Sequence, residues 1–427
     1  MVEPANLERS DPARDALRQL LVDLGTAMVA AGDAVDSVED ALRRIVAAYG
    51  VGDVQIALLP TSMFIEMGGG QSSSVQFSAQ VAPALRLDQI SALYELVKDL
   101  EARRLTPEEG LDRLRAVERL RPTFGWLLRT FGHAVLTVGL ALLLQPTPTG
   151  VAVGFVLGLI VGLLNLVNLP TLRLIFPIVA AFLISVLVFG AARYLHVDNP
   201  IRLLVAPLVT FLPGSLLAVG TMELAAGEMV SGTSRLVSGI VQLALLAFGI
   251  VAGAALVNAP QSYLLDHKVA GLGYWAAWVG VFVFAFGVFL HFSAPTSSLP
   301  WLLLVLVVAF AGQSVGGALF GGELSGFFGA LAMTPLALWI ERLRRGPPKM
   351  VTFLPAFWLL VPGATGLLGV TQIVGSGANA ATSVFRDTLG SIIAISLGVL
   401  IGAAAFKTTN AGARYLGRTV RLPRSYP

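Results

Sequence analysis

Two segments decide how this chain is read. Val205-Ala-Pro-Leu-Val-Thr-Phe-Leu-Pro-Gly214 breaks an apolar run at Pro213-Gly214. Glu223-Leu-Ala-Ala-Gly-Glu228-Met-Val-Ser-Gly-Thr-Ser-Arg235 then crosses polar, glycine-containing sequence before a second apolar run reaches Gly253. Packing alone gives no reason for two carboxylates between runs of membrane length. A weaker copy lies near the C-terminus. Thr210-Phe-Leu-Pro213 recurs as Thr352-Phe-Leu-Pro355, and Glu228-Met-Val-Ser-Gly232 is echoed by Gln372-Ile-Val-Gly-Ser-Gly377. Arg235 and Gly239 are matched by Arg386 and Gly390. The pattern is that of a duplicated membrane transporter.

Working outward, the chain of 427 residues is 55% hydrophobic and 13% charged. Its mean hydropathy is +0.77. Soluble domains carry about 25% charged residues, so this composition is that of a membrane protein. Residues 1–125 hold 13 basic and 19 acidic side chains, whereas residues 126–427 hold 16 and 7. The isoelectric point near 9.3 therefore reflects loops beside a membrane. No basic patch with interleaved aromatics suggests nucleic acid. Without cysteine there is no disulfide, thiolate or Cys-ligated zinc. The polar N-terminus does not read as a cleavable signal peptide, so targeting is expected from the first membrane helix.

Residues 1–10 read as a disordered tail. Residues 11–125 read as a soluble, cytoplasmic α/β domain. Asp11-Pro12 starts a helix, with Leu17, Leu20, Leu21, Leu24 and Met28 on one face and Gly32 at its end. Ser37-Val-Glu-Asp40 resembles a capping box opening a second helix, which Gly50 closes. Strands are expected at 53–59, 62–67 and 74–81, turning at Pro60 and at Gly68-Gly-Gly70. Helices follow at 88–104 and 107–120, the latter capped by Thr106-Pro-Glu-Glu109.

From Trp126 ten apolar runs are long enough to cross about 30 Å of hydrocarbon. They lie at 127–145, 149–168, 173–194, 201–222, 234–257, 271–292, 299–319, 322–341, 350–370 and 385–406. Ten crossings with both termini inside put twelve Lys/Arg at inner ends. The outer ends carry four, Arg193, Arg202, Lys268 and Arg386. The fold expected is a polytopic α-helical membrane protein with two inverted five-helix repeats, 126–258 and 259–410, and a basic tail at 411–427. Inverted repeats place transporter sites on helices broken in matching positions, here Pro213-Gly214 and Pro362-Gly363.

The exposed N-terminus of a half-helix attracts a carboxylate, and Thr210, Ser215 and Thr352 add hydroxyls. A packing kink is the structural alternative. Glu223 and Glu228 are the candidates for carrying a coupling proton, because a carboxylate at membrane depth is costly; solvated loop residues paired with Arg235 are the alternative. Ser231, Gly232, Thr233 and Ser234 would line the inner mouth of the path. Arg235 and Arg386, symmetric in the repeat, would suit a dicarboxylate. Asn165, Asn168, Gln242, Gln313 and Ser314 line the path or bond neighbouring helices. Gly154, Gly158 and Gly162 allow close helix packing, within the chain or in a homo-oligomer.

His133, His196, His267 and His291 share no metal-ligand spacing, so neither metal nor cofactor is expected. No histidine lies in residues 1–125, which argues against a Ser-His-Asp or zinc hydrolase there. Gly68-Gly-Gly70 is no P-loop, so energy would come from an ion or substrate gradient.

Five stretches together carry a resemblance: Leu21-Val-Asp-Leu-Gly25, Ala30-Ala-Gly32, Val38-Glu-Asp-Ala-Leu-Arg-Arg44, Pro60-Thr-Ser-Met-Phe64 and Met222 to Arg235. Over about residues 14–410 the chain resembles the threonine/serine exporter family (ThrE type). The Glu223–Arg235 segment is the most specific part. The second half, with Phe353-Leu-Pro355 and Val361-Pro-Gly363, resembles the family's C-terminal membrane domain more loosely. The resemblance implies export of L-threonine and L-serine across the inner membrane, driven by the proton motive force. Some relatives split into two chains and are associated with succinate, which makes dicarboxylate export the alternative. Pro60-Thr61-Ser62 departs from the family's Pro-Thr-Gly turn. A membrane-anchored enzyme or sensor acting through the cytoplasmic domain is the alternative of another class.

Overall fold

The computed structural model describes residues 12–52, 54–67, 74–78, 84–144, 147–166, 175–194, 199–265, 271–360, 366–372 and 381–419. The chain divides into two compact units. One comprises residues 1–122 together with Glu223–Ser234; the other comprises Thr123–Met222 and 235–427.

In the first unit, α1 (Pro12–Ala30) buries Leu17, Leu20, Leu21, Leu24 and Met28, the apolar face that its spacing predicts. Gly32, at φ 96°, ends it in the left-handed region. α2 (Val35–Ala48) follows and ends at Gly50, φ 74°. Strands β1 (Val54–Leu59), β2 (Ser62–Met67) and β3 (Ser74–Ser78) form an antiparallel sheet in that order. Leu59 pairs with Ser62 across a two-residue turn at Pro60-Thr61. Ile56, Leu58, Met63, Ile65 and Met67 are buried, the period-two face of a half-buried sheet. A Cβ on Gly25 would meet Met63 Sδ at 2.7 Å, so glycine allows α1 to lie this close to β2. The turn at Gly68-Gly-Gly70 and the Asp11 cap lie outside the described residues.

α3 (Leu87–Glu101) and α4 (Pro107–Glu118) complete these elements. The capping box at Thr106 is present in both directions. The box at Ser37 is not. α2 starts three residues earlier than that box requires, at Val35, with Ala34 at the N-cap and no local side-chain cap. Its first amide is satisfied from 188 residues away, where Glu223 Oε1 accepts from the Val35 N–H at 2.9 Å.

The second unit is helical: α5 (Trp126–Leu144), α6 (Pro148–Leu164), α7 (Phe176–Ala191), α8 (Pro200–Val205), α9 (Gly214–Ala226), α10 (Met229–Leu256), α11 (Tyr274–His291), α12 (Leu299–Phe320), α13 (Gly322–Glu341), α14 (Lys349–Leu360) and α15 (Ala381–Thr419). Glu223–Ala226 of α9 and Met229–Ser234 of α10 belong to the first unit. Among the described residues, seven helical segments are long and apolar enough to cross a membrane, and α6, α7 and α14 are shorter apolar helices. On α10, Val237, Ile240, Val241, Leu245 and Phe248 are exposed as one stripe. An uncovered apolar stripe at helical spacing suits lipid rather than water.

The run expected as one helix at 201–222 is broken. α8 gives way at Val205, a 3-10 turn spans Val209–Phe211, and α9 opens at Gly214. The fifth run starts earlier than 234, because Met229–Ser234 are helical. Gly227, at φ 96°, makes the turn between α9 and α10.

Glycines set the closest helix contacts. A Cβ on Gly287 would meet the Leu136 backbone N at 2.1 Å, and one on Gly139 the Phe284 N at 2.3 Å. Gly132 lies against the backbone of His291, and Gly280 against that of Gly139. As α5 advances, its contacts step backwards along α11, so the two helices run antiparallel with their backbones almost touching. Gly158 and Gly162 bring α6 onto Ala134, Thr137, Thr130 and His133 of α5 in the same way, which uses the glycine stripe within the chain.

Candidate functional site

The break before α9 has physical consequences on all sides. Leu212 is extended, at φ −72° and ψ 131°, and Pro213 has no N–H. The Phe211 carbonyl, freed from helical bonding, accepts from Gln242 Nε2 of α10 at 2.7 Å. A Cβ on Gly239, one turn earlier on α10, would meet Leu217 Cδ2 at 2.5 Å, so glycine is what lets α10 approach. Pro213 and Gly214 are buried and Ser215 is half-buried in the first turn of α9.

Thr210 projects from the 3-10 turn into a polar cluster. Its Oγ1 lies 3.5 Å from Asn165 Nδ2, at the C-terminus of α6, and 3.5 Å from His133 Nε2 on α5. His133 Nδ1 is 3.0 Å from the Gly158 carbonyl. The imidazole of His291, at the end of α11, sits edge-on to that of His133 with centroids 4.7 Å apart. His291 Nδ1 is 3.0 Å from the Arg129 carbonyl, and Arg129 Nε donates to the His291 carbonyl at 3.3 Å. Both rings are buried, His133 at 0% and His291 at 6% exposure. The Thr130 hydroxyl, one turn from His133, is buried without a hydrogen-bond partner among the described residues.

The predicted residues divide between the units. Thr210, Pro213, Gly214, Ser215 and Arg235 belong to the second unit, where Asn165 and Gln242 also bond toward the break. Thr352 is buried on α14, and its hydroxyl donates to the Lys349 carbonyl of the same helix. Pro362, Gly363 and Asn168 lie outside the described residues. Arg386 falls on α15 with its side chain outside them.

Glu223, Glu228, Ser231, Gly232, Thr233 and Ser234 belong to the first unit. Glu223 is 1% exposed and its Oε1 caps the first amide of α2. A hydrogen bond of this kind contributes about 0.5–1.5 kcal/mol. Glu228 is half-buried and its N–H donates to the Glu223 carbonyl at 2.8 Å. Ser231 and Gly232 are buried, Ser234 is half-buried and Thr233 is exposed. Beside α2, buried Asp33 accepts from the Tyr94 hydroxyl.

Two functional candidates escaped the residue-by-residue reading. His133 and His291 are 158 positions apart in sequence, and metal-ligand spacing is the wrong test for them. The usable signal is an ionisable residue inside an apolar run, which marks function by default.

The apolar helices and the lipid-suited stripe on α10 define a multi-pass helical membrane protein. Residues 19–257 match the family described as "Putative threonine/serine exporter" (ThrE), and the chain belongs to that family. It is similar to two uncharacterized proteins of Schizosaccharomyces pombe. One is 24% identical over 81% of this chain and 47% of its own length; the other is 27% identical over 46% and 25%. It is also similar to pheromone-regulated membrane protein 10 of Candida glabrata, 26% identical over 46% of this chain and 27% of that protein. The chain thus spans between a quarter and a half of these relatives. No solved structure matches it.

Proposed function

We propose that this protein is a secondary exporter of small hydroxylated amino acids, L-threonine and L-serine, across the inner membrane, driven by the proton motive force. The observation that carries this reading is the family match over residues 19–257. In this reading ten helices cross as two inverted fives, with both termini and the N-terminal α/β elements in the cytoplasm. The antiparallel pairing of α5 with α11 supports it, because these helices open the two halves and an odd number of crossings inverts the second.

Substrate binds at the break before α9. The buried N-terminus of α9 at Gly214 attracts the amino-acid carboxylate, while Thr210 and Ser215 supply hydroxyl contacts. Ser231 to Ser234 line the cytoplasmic mouth. Thr352 is a weaker candidate than Thr210, since its hydroxyl is committed to its own helix. Glu223 and Glu228 are the carboxylates that couple transport to protons, and Arg235 with Arg386 would pair with an anionic substrate.

Efflux of labelled threonine from preloaded proteoliposomes, with and without an imposed pH gradient, tests the reading. Gradient-dependent efflux competed by serine supports it; efflux of succinate in its place moves the substrate to dicarboxylates. Glu223→Gln keeps an oxygen that accepts from Val35. It should leave expression intact and abolish the dependence on the gradient.

A further inference from the structure

The geometry points to a second proton-handling site, the buried pair His133 and His291 with Thr210, lying within the membrane unit and separate from the carboxylates at Glu223 and Glu228. A carbonyl oxygen only accepts, so the contacts with Gly158 and Arg129 require both histidines to carry hydrogen on Nδ1. In each neutral ring the remaining lone pair is then on Nε2. The Nε2 of His133 faces Thr210 Oγ1 at 3.5 Å, and that of His291 makes no hydrogen bond among the described residues.

Thr210 suits either state of His133. Its hydroxyl donates to a bare Nε2 and accepts from a protonated one, while Asn165 Nδ2 approaches the same oxygen as a donor. A proton can therefore arrive at His133 Nε2 and leave again with only a hydroxyl rotation, and no backbone contact is broken. The charged or titratable groups facing the pair are few. Arg129 lies beside His291, and each imidazole faces the other. α6 and the turn at Thr210 offer Asn165, the Gly158 carbonyl and Thr210, all neutral. Two rings at 4.7 Å repel when both are charged, so the pair takes up at most one proton at a time.

A purely structural role, in which the Nδ1 groups tie α5 to α6 and α11 to α5, makes a different prediction. Asparagine retains a side-chain N–H near the Nδ1 position and lacks the second nitrogen. Only what the proton drives rests on the exporter reading. In proteoliposomes of the full chain, His133→Asn and His291→Asn should each lower gradient-driven threonine efflux about a hundredfold. Exchange of labelled for unlabelled threonine at equal pH, which moves no net proton, should fall much less than gradient-driven efflux. Gradient dependence that persists in both variants overturns the inference and leaves the exporter reading standing.

If the wild-type protein carries neither threonine nor succinate, the exporter reading falls instead, and the pair is judged without a solute. The chain has four histidines, so nitrogen-15 NMR of histidine-labelled protein in bilayers resolves them. Protonation at Nε2 of His133 or His291 on lowering pH, displaced by the asparagine variant of the partner, supports the pair. Imidazoles that remain neutral down to the acid limit of folding overturn it.

Discussion

Thr210-Phe-Leu-Pro213 and Thr352-Phe-Leu-Pro355 share four residues and fold differently. The first copy is a 3-10 turn that passes through extended Leu212 and releases a new helix at Gly214. The second lies within α14, with Pro355 inside the helix. Flanking residues account for the difference. Pro207 and the Pro213-Gly214 pair bracket the first copy, and neither proline donates a backbone hydrogen bond. The second is preceded by Lys349-Met-Val and followed by Ala-Phe-Trp, which continue a helix. An interior proline costs about 3 kcal/mol. Burial of Met350, Val351, Phe353, Phe357, Leu359 and Leu360 around it opposes that cost. The polar outcome differs accordingly. Around the first copy, Phe211 and Thr210 face groups on other helices; in the second, Thr352 bonds its own helix.

The first contrast to break is whether the helix break itself matters for transport. Pro213→Ala allows helix to run on from the 3-10 turn into α9, and reconstituted efflux should fall about tenfold or more, equivalent to about 1.4 kcal/mol. Pro355→Ala should leave efflux near wild type. Equal losses would remove the distinction between the copies.

The matched glycines provide the next contrast. Gly239→Val drives side-chain atoms into Leu217 and should cost about 1–3 kcal/mol, read as a lower melting temperature in detergent. A Cβ on Gly390 meets nothing within 4 Å. Gly390→Ala should therefore be neutral, or stabilising by up to about 1 kcal/mol.

Two side-chain substitutions sharpen the polar contrast. Gln242→Leu leaves the Phe211 carbonyl without its donor and should destabilise by about 1–3 kcal/mol. Thr352→Val loses one intrahelical bond, with an expected cost of about 1 kcal/mol or less.

Local chemistry was readable from the sequence. The apolar face of α1, the left-handed glycines at 32 and 50, the Thr106 box and the Pro213 break depend on neighbours a few residues away. Ser37 shows where such reading stops. Its box is locally sound, yet α2 begins before it because a distant carboxylate satisfies Val35. His133 and His291 meet only because glycines on α5 and α11 bring two backbones together, and no local pattern records that approach. The units are also interleaved in a way that hydropathy does not show, since Glu223–Ser234 joins residues 1–122.

The cap on α2 bears on biogenesis. A ribosome finishes residue 122 before it has made Glu223, 101 residues later. At about 5–20 residues per second, that gap lasts roughly 5–20 seconds. Throughout it, the leading part of the chain exists without the side chain that completes its second helix. A nascent chain stalled in this interval would present an immature N-terminal unit to chaperones, and its maturation would report that α9 has been made.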